Sequence, residues 1–351
     1  MHGLKRLIGF FLVTWFVASS AYAEDSQHNL IWSYYAAEGF NAFTMETDND
    51  KNLYLQLSPR WDGIYLINYR FRPNGSLDWV YSDTSPDTWI WVGGDNGVHY
   101  LSNEYGLRAV DLNKNTLWTY KASIDRYHVA ISPDKTLYVG TTKGLVALDS
   151  NGHEKWRNAE TGSWLRDLMV GESRTIYALS NNELDAVSPN GQTKWTYKHP
   201  KLLTNAVEGE NGELYLSDYE GRLITFDANG KEILNQLLGN GPDKIIFANH
   251  HLYLINRDKL VVLDPRDNTR KTVDLEFPGA GFYIQFAVGK DGSVYYQATG
   301  GKLVVFDANY KIKWQMPMGE GRFHLSKDGT MLYVYSSETG YVSAFMTTAK
   351  S

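Results

Sequence analysis

The chain has 351 residues, 43% hydrophobic and 21% charged, with a formal net charge of −6 and a pI near 5.9. A chain of that size can bury a substantial core, and an acidic balance without a Lys/Arg run offers no footprint for a phosphate backbone, which excludes nucleic acid as the main partner. Zero cysteines exclude a disulfide framework, a cysteine zinc site and a lipid-modified N-terminal Cys, so the fold holds by packing alone.

Met1 to Ala23 opens with His2, Lys5 and Arg6, runs apolar from Leu7 to Ala18, and ends in small residues before Glu24 and Asp25. That order is a secretory signal peptide with an Ala21-x-Ala23 cleavage site. The apolar run is shorter than the ~20 residues of a membrane span, so cleavage is expected rather than anchoring. The reading is an exported protein, periplasmic or secreted, with one domain over residues 24–351. No later segment is long and apolar enough to cross a bilayer.

From there the sequence repeats itself. LYVGTTKGLVALDSNGHEKW (Leu137 to Trp156) returns as IYALSNNELDAVSPNGQTKW (Ile176 to Trp195), as LYLSDYEGRLITFDANGKEIL (Leu214 to Leu234) and as VYYQATGGKLVVFDANYKIKW (Val294 to Trp314). A marker Tyr stands at 54, 100, 138, 177, 215, 253, 295 and 333, in steps of 46, 38, 39, 38, 38, 42 and 38. A marker Trp stands at 32, 79, 118, 156, 195 and 314, with Leu234 and Lys271 in the equivalent places of two copies. Both series count eight units, and a fixed period of this length specifies a repeat architecture.

Each unit divides into four short alternating segments; in the third these are HVAIS, LYVGT, LVALD and EKWRN, and no window shows a helical apolar stripe. The fold expected is all-β, an eight-bladed β-propeller of four-stranded antiparallel blades. Trp32 has no strands before it and Met331 to Phe345 has no Trp strand after it. The N-terminal strand is therefore expected to complete the last blade and close the ring; a linear solenoid would instead want distinct caps. The Asn-Gly and Asp-Gly pairs at 74, 151, 190, 211, 229, 291 and 328 are hairpin turns rather than calcium loops, which need about six or more converging oxygens. The Trp and Tyr markers, at fixed register, are blade-to-blade core rather than a ligand cage.

The segments Ala109 to Trp118, Ala147 to Trp156 and Ala186 to Trp195 resemble the tryptophan-docking motif of the PQQ-like repeat family of propellers, in which an Ala and a Trp dock between neighbouring blades. The resemblance spans nearly the whole chain after the signal segment. It implies one of two functions. Quinoprotein dehydrogenases of that family hold PQQ and Ca²⁺ over the propeller centre beside a vicinal Cys pair and carry long added segments, and this chain has neither the Cys pair nor the length. The non-enzymatic propellers of outer-membrane protein assembly are nearer in size, although they are anchored through an N-terminal Cys absent here.

Binding groups are expected on the loops that enter each blade's inner strand, since loops on a rigid scaffold carry recognition. Those loops hold Trp89; Arg126 and His128; Trp164 and Arg166; His199; Tyr283; and Arg322 and His324, and an insertion from Leu57 to Gly63 adds Arg60 and Trp61. Aromatic and Arg side chains together form a recognition surface. Arg126, Arg166 and Arg322 share a register that would make a cationic collar, or would pair with Asp125, Asp167 and Glu320. His128 and His324 share another that would let them meet near the axis. Gly239-Asn-Gly241, Gly279-Ala-Gly281 and Gly319-Glu-Gly321 recur on the same face and are read as sharp turns. His250-His251 is a surface turn. No Gly-x-Ser-x-Gly, His-Glu-x-x-His or P-loop is present. The function expected is a monomeric, non-enzymatic scaffold without cofactor or metal, binding an envelope or extracellular protein or glycan. The alternative is an exported enzyme using the same face, dependent on PQQ and calcium or acting on carbohydrate.

Overall fold

The computed structural model describes residues 30–59, 66–83, 89–92, 97–103, 105–113, 115–162, 165–238, 244–278 and 285–347. The signal segment lies outside them. The described strands form eight four-stranded antiparallel sheets, each built from four strands in sequence except the last. That sheet orders Arg322–Leu325, Met331–Tyr335, Tyr341–Met346 and then Leu30–Tyr35, so the first strand of the chain is the outer strand of blade 8. The closure read from the two incomplete units is thereby present, with Ser33 opposite Ser343 and Tyr35 opposite Tyr341 across the seam.

Within each blade the middle strands are buried on both faces, as in Leu137–Thr141 and Gly144–Leu148 of blade 3, whereas the outer strand Glu154–Asn158 alternates toward water. The inner strand of blade 3 runs Ile124–Ile131 and begins before His128, with an irregular register between Ile124 and Val129. Arg126 and His128 thus belong to that strand rather than to its entry loop. Polar residues interrupt the apolar alternation there without ending the pairing. Trp89 likewise opens the inner strand Trp89–Val92 of blade 2.

Apolar clusters lie between blades. Between blades 4 and 5, for example, Tyr177, Leu184 and Ala186 pack on Leu203, Leu216 and Phe226. Among the described residues, Leu101 and Val110 are buried with Trp79 against them at the junction of blades 1 and 2. Charged and polar groups lie at the same junction. Arg70 binds Asp78, donates from Nε to the Tyr54 hydroxyl at 2.9 Å and lies 3.7 Å from Asp48.

All eight marker tyrosines are buried. Three of the marker tryptophans dock through the indole N–H as the repeat predicts. Trp118 donates from Nε1 to the Ser150 carbonyl at 2.8 Å, Trp156 to Pro189 at 2.9 Å and Trp32 to Pro73 at 2.9 Å, each carbonyl belonging to the outer turn of the next blade. In that turn the Gly has a positive φ, 80° at Gly152, and a Cβ there would come within 2.5 Å of the Trp118 ring. The Asn-Gly pair therefore serves two ends at once: it closes a hairpin in the left-handed region, and it leaves a flat seat for the neighbour's indole.

Candidate functional site: the channel mouth

The inner strands begin on one face of the ring, and three alternate blades place a charged residue first: Asp167 on Asp167–Val170, Lys244 on Lys244–Ala248 and Arg322 on Arg322–Leu325. Strand alternation puts His324 on the same side as Arg322, one step further in. Lys244 acts electrostatically on Asp167 and His324, and Arg322 on Lys244, so blades 4, 6 and 8 share one field across the centre.

The wall holds these groups firmly. Arg322 donates from Nε to the Ala42 carbonyl of blade 1 at 2.6 Å, and His324 Nε2 lies 3.1 Å from the Thr47 hydroxyl of the same blade. Gln285 clamps blade 7 to blade 8, donating to the Gly321 carbonyl at 3.1 Å and accepting from the Phe323 N–H at 2.8 Å. A Cβ at Gly321 would sit 1.9 Å from the Tyr335 carbonyl, so this Gly-x-Gly is a tight turn into a crowded wall.

Confinement sets the protonation. Asp167 lines the channel mouth, where partial desolvation pushes its carboxyl up, opposed by the Leu168 N–H and by Lys244. Burial also lowers Lys244 and Arg322. His324 is lowered to about 4 by burial and then by Lys244 and Lys327, so it is neutral at pH 7.

Of the sequence-selected residues, Arg322 and His324 meet here, and Arg166 stands exposed just before Asp167, its N–H bound to the Leu179 carbonyl at 2.6 Å. The Arg322 guanidinium is turned into the wall rather than toward a shared rim. His199 is buried between blades, bound to Asp218 at 3.0 Å and to the Tyr197 hydroxyl at 3.0 Å. His250 sits in a turn, 2.6 Å from Glu210. Arg60, Trp61, Trp164, Tyr283 and two of the three Gly-x-Gly turns lie outside the described residues, as do the side chains of Trp89, Arg126 and His128. Lys244 was not selected as a mouth residue, and Asp167 entered only as a rim carboxylate that could pair with an arginine of the collar. Their signal is spacing: Asp167, Lys244 and Arg322 stand 77 and 78 residues apart, two repeat lengths.

Among the described residues no three His, Asp or Glu converge.

Fold and docking geometry together define an eight-bladed β-propeller whose blades are joined by a Trp dock. The family model described as outer membrane protein assembly factor BamB matches residues 103–238, the stretch holding Trp118, Trp156 and Trp195. The crystal structure of BamB from Moraxella catarrhalis superposes with a TM-score of 0.64 at 16% identity, covering 90% of this chain and 99% of that one. The computationally designed Ika8 protein superposes with a TM-score of 0.70 at 12% identity, covering 91% and 99%. Likeness at these identities is likeness of fold. No curated protein matches the chain.

Proposed function

We propose that this chain is a non-enzymatic binding scaffold of the cell envelope, exported through its N-terminal signal segment, which takes a protein partner on the face around the channel mouth. The observation that carries the reading is the gathering of the cations Lys244 and Arg322, with the carboxylate Asp167, at one mouth of a protein with net charge −6. A local cationic field on an acidic body orients an acidic partner segment and repels the protein's own surface. The aromatic and Arg-rich loops around it supply contact area. The likeness to an outer-membrane assembly factor supports a periplasmic setting and a polypeptide partner. No cofactor or metal enters this reading.

A photo-crosslinking side chain at position 166, on the mouth, is compared with one at Lys290, in the turn between Phe286–Val288 and Val294–Ala298 on the opposite face. The expected result in the native envelope is a discrete protein adduct from position 166 alone, weakened by salt and lost with Lys244→Glu. Equal adducts from both positions, no adduct from either, or a glycan adduct from position 166 would each overturn the reading.

A further inference from the structure

One blade junction lacks its docking ring. In blades 2, 3 and 4 the marker Trp packs on the marker Tyr of its own blade, with centroids 5.8, 5.7 and 6.1 Å apart for Tyr100–Trp118, Tyr138–Trp156 and Tyr177–Trp195. Across the strand pair from each Trp stands an Ala, at 109, 147 and 186. In blade 5 the Trp is Leu234, the Ala is Thr225, and these two oppose each other in the same register. The marker Tyr215 is retained and stacks instead on Phe247 of blade 6, at 5.9 Å.

The missing ring leaves a cavity of about 440 Å³ between blades 5 and 6, within the range of small-ligand sites. Its floor includes Tyr215, Thr225, Leu234 and Phe247; Pro265 and Arg266 of the next blade's outer turn form one side. Pro265 stands where Pro73, Ser150 and Pro189 stand in the other blades, the residues whose carbonyls take an indole N–H. Thr225, which lines the cavity, is only 4% exposed, and its hydroxyl, buried just behind the cavity surface, has no hydrogen-bond partner among the described residues. An orphaned buried hydroxyl costs about 1–3 kcal/mol, which a polar atom entering the cavity would recover.

The entrance favours a polypeptide. The outer strand of blade 5, Glu232–Leu237, is exposed along most of its length, with Ile233 at 56% and Leu237 at 57%. An outer strand presents an unpaired edge, the template for strand addition.

We infer that this cavity is a docking site for a tryptophan side chain supplied by an extended segment of a partner polypeptide, which adds to the outer strand of blade 5 and fills from outside the place that Trp118, Trp156 and Trp195 fill from within. The site lies between two blades at the outer rim, away from the channel, and stands or falls separately from the mouth.

The test uses a blocked strand peptide, Thr-Val-Trp-Val-Thr, with fluorine on its indole, titrated into the protein from Glu24 to Ser351 and followed by fluorine NMR. Two competitors accompany it: the same peptide with Ala for Trp, and N-acetyltryptophan amide as the ring alone. The expected result is saturable binding in which both competitors are weaker by about tenfold or more, a difference of ~1.4 kcal/mol. Leu234→Trp, which refills the cavity, abolishes it, and Thr225→Val weakens it by about fivefold through the lost hydrogen bond. Because Leu234→Trp could disturb the junction, Ile233→Ser on the exposed edge is measured beside it and also weakens the peptide. The inference is overturned by absence of binding, by an Ala peptide that competes equally, by binding unchanged in all three variants, or by the amide binding as tightly as the peptide, which would make the cavity a small-molecule site.

Discussion

His99 and His324 are two histidines that make the fold sensitive to mild acid. His99 is buried between the rings of Trp79 and Tyr54, with centroids 5.0 and 6.0 Å away, in the junction of blades 1 and 2. Burial lowers its pKa to about 4; the Gly97 backbone and Asp111 oppose this and Arg70 reinforces it. His324 is lowered to about 4 as well. In both, the folded pKa lies below the ordinary 6.5, so the unfolded chain takes up protons first as the pH falls. Their stabilisation is complete above the unfolded value and drains away between about pH 6.5 and pH 4. For His99 the loss is on the order of 3 kcal/mol, and for His324, which is only half-buried, it is smaller. Asp167 and Asp185, raised by burial, act in the opposite sense across part of this window. The histidine share is therefore read by difference: urea unfolding at pH 7 and about pH 4.5 should show the wild type losing more stability than His99→Gln. Equal losses in the two proteins would remove His99 from this role.

At the scale of the strand and its turn, docking partners change together. Where blade 6 has Lys271 instead of Trp, the seat in blade 7 is Tyr310 instead of Gly, at φ 64°, and the Lys271 ammonium lies 4.4 Å from the Tyr310 ring centre. Ring and seat have exchanged sides, and a cation–π contact replaces the indole dock. Lys271→Trp alone should cost about 1–3 kcal/mol, because two rings then compete for one place. Tyr310→Gly alone loses the contact, although it relieves about 1 kcal/mol of left-handed strain. The double variant restores the ordinary dock, so a cycle of urea midpoints should give a coupling of about 1–2 kcal/mol in its favour. Strictly additive costs would show that the two positions do not form one unit.

The same logic explains what could be read from the sequence. Docking demands one residue type at one register, so the marker Tyr, the marker Trp and the Asn-Gly turns were legible as a period and gave blade number and closure. Leu234 and Lys271 were visible as gaps in that period, but Thr225 and Tyr310 acquire meaning only once strand register and blade neighbours are known. The channel was less legible still. Asp167, Lys244 and Arg322 come together only because alternate inner strands start at one mouth, and Arg322 turns into the wall because the Ala42 carbonyl is there to accept it.

For the whole molecule the decisive contact is the seam. It joins residues 310 positions apart: Ser33 Oγ lies 2.8 Å from Ser343 Oγ, and nearby the Tyr335 hydroxyl donates to the Ala37 carbonyl at 2.7 Å. A ring can open there, or at the junction of blades 1 and 2 around Arg70 and His99, and a covalent latch distinguishes the two. Ser33→Cys with Ser343→Cys places two thiols on directly opposed residues in a chain that has no other cysteine. Closing so long a loop restricts the unfolded chain by up to about 5 kcal/mol, less whatever strain the bond introduces. The oxidised variant should therefore unfold at higher urea than its reduced form, and the reduced form should match the wild type. The unfolding rate adds the mechanism. If the seam parts before the transition state, oxidation slows unfolding steeply, because the latched contact is one the transition state has lost. If the polar junction around Arg70 and His99 parts first, oxidation raises the midpoint through the refolding arm and leaves the unfolding arm unchanged. The seam-first route is expected, because the outer strand Leu30–Tyr35 is held by one neighbouring strand and by the dock of Trp32 on blade 1, whereas every other blade is continuous in sequence. An unfolding arm indifferent to oxidation would reverse that order and place the weak point of the ring between blades 1 and 2.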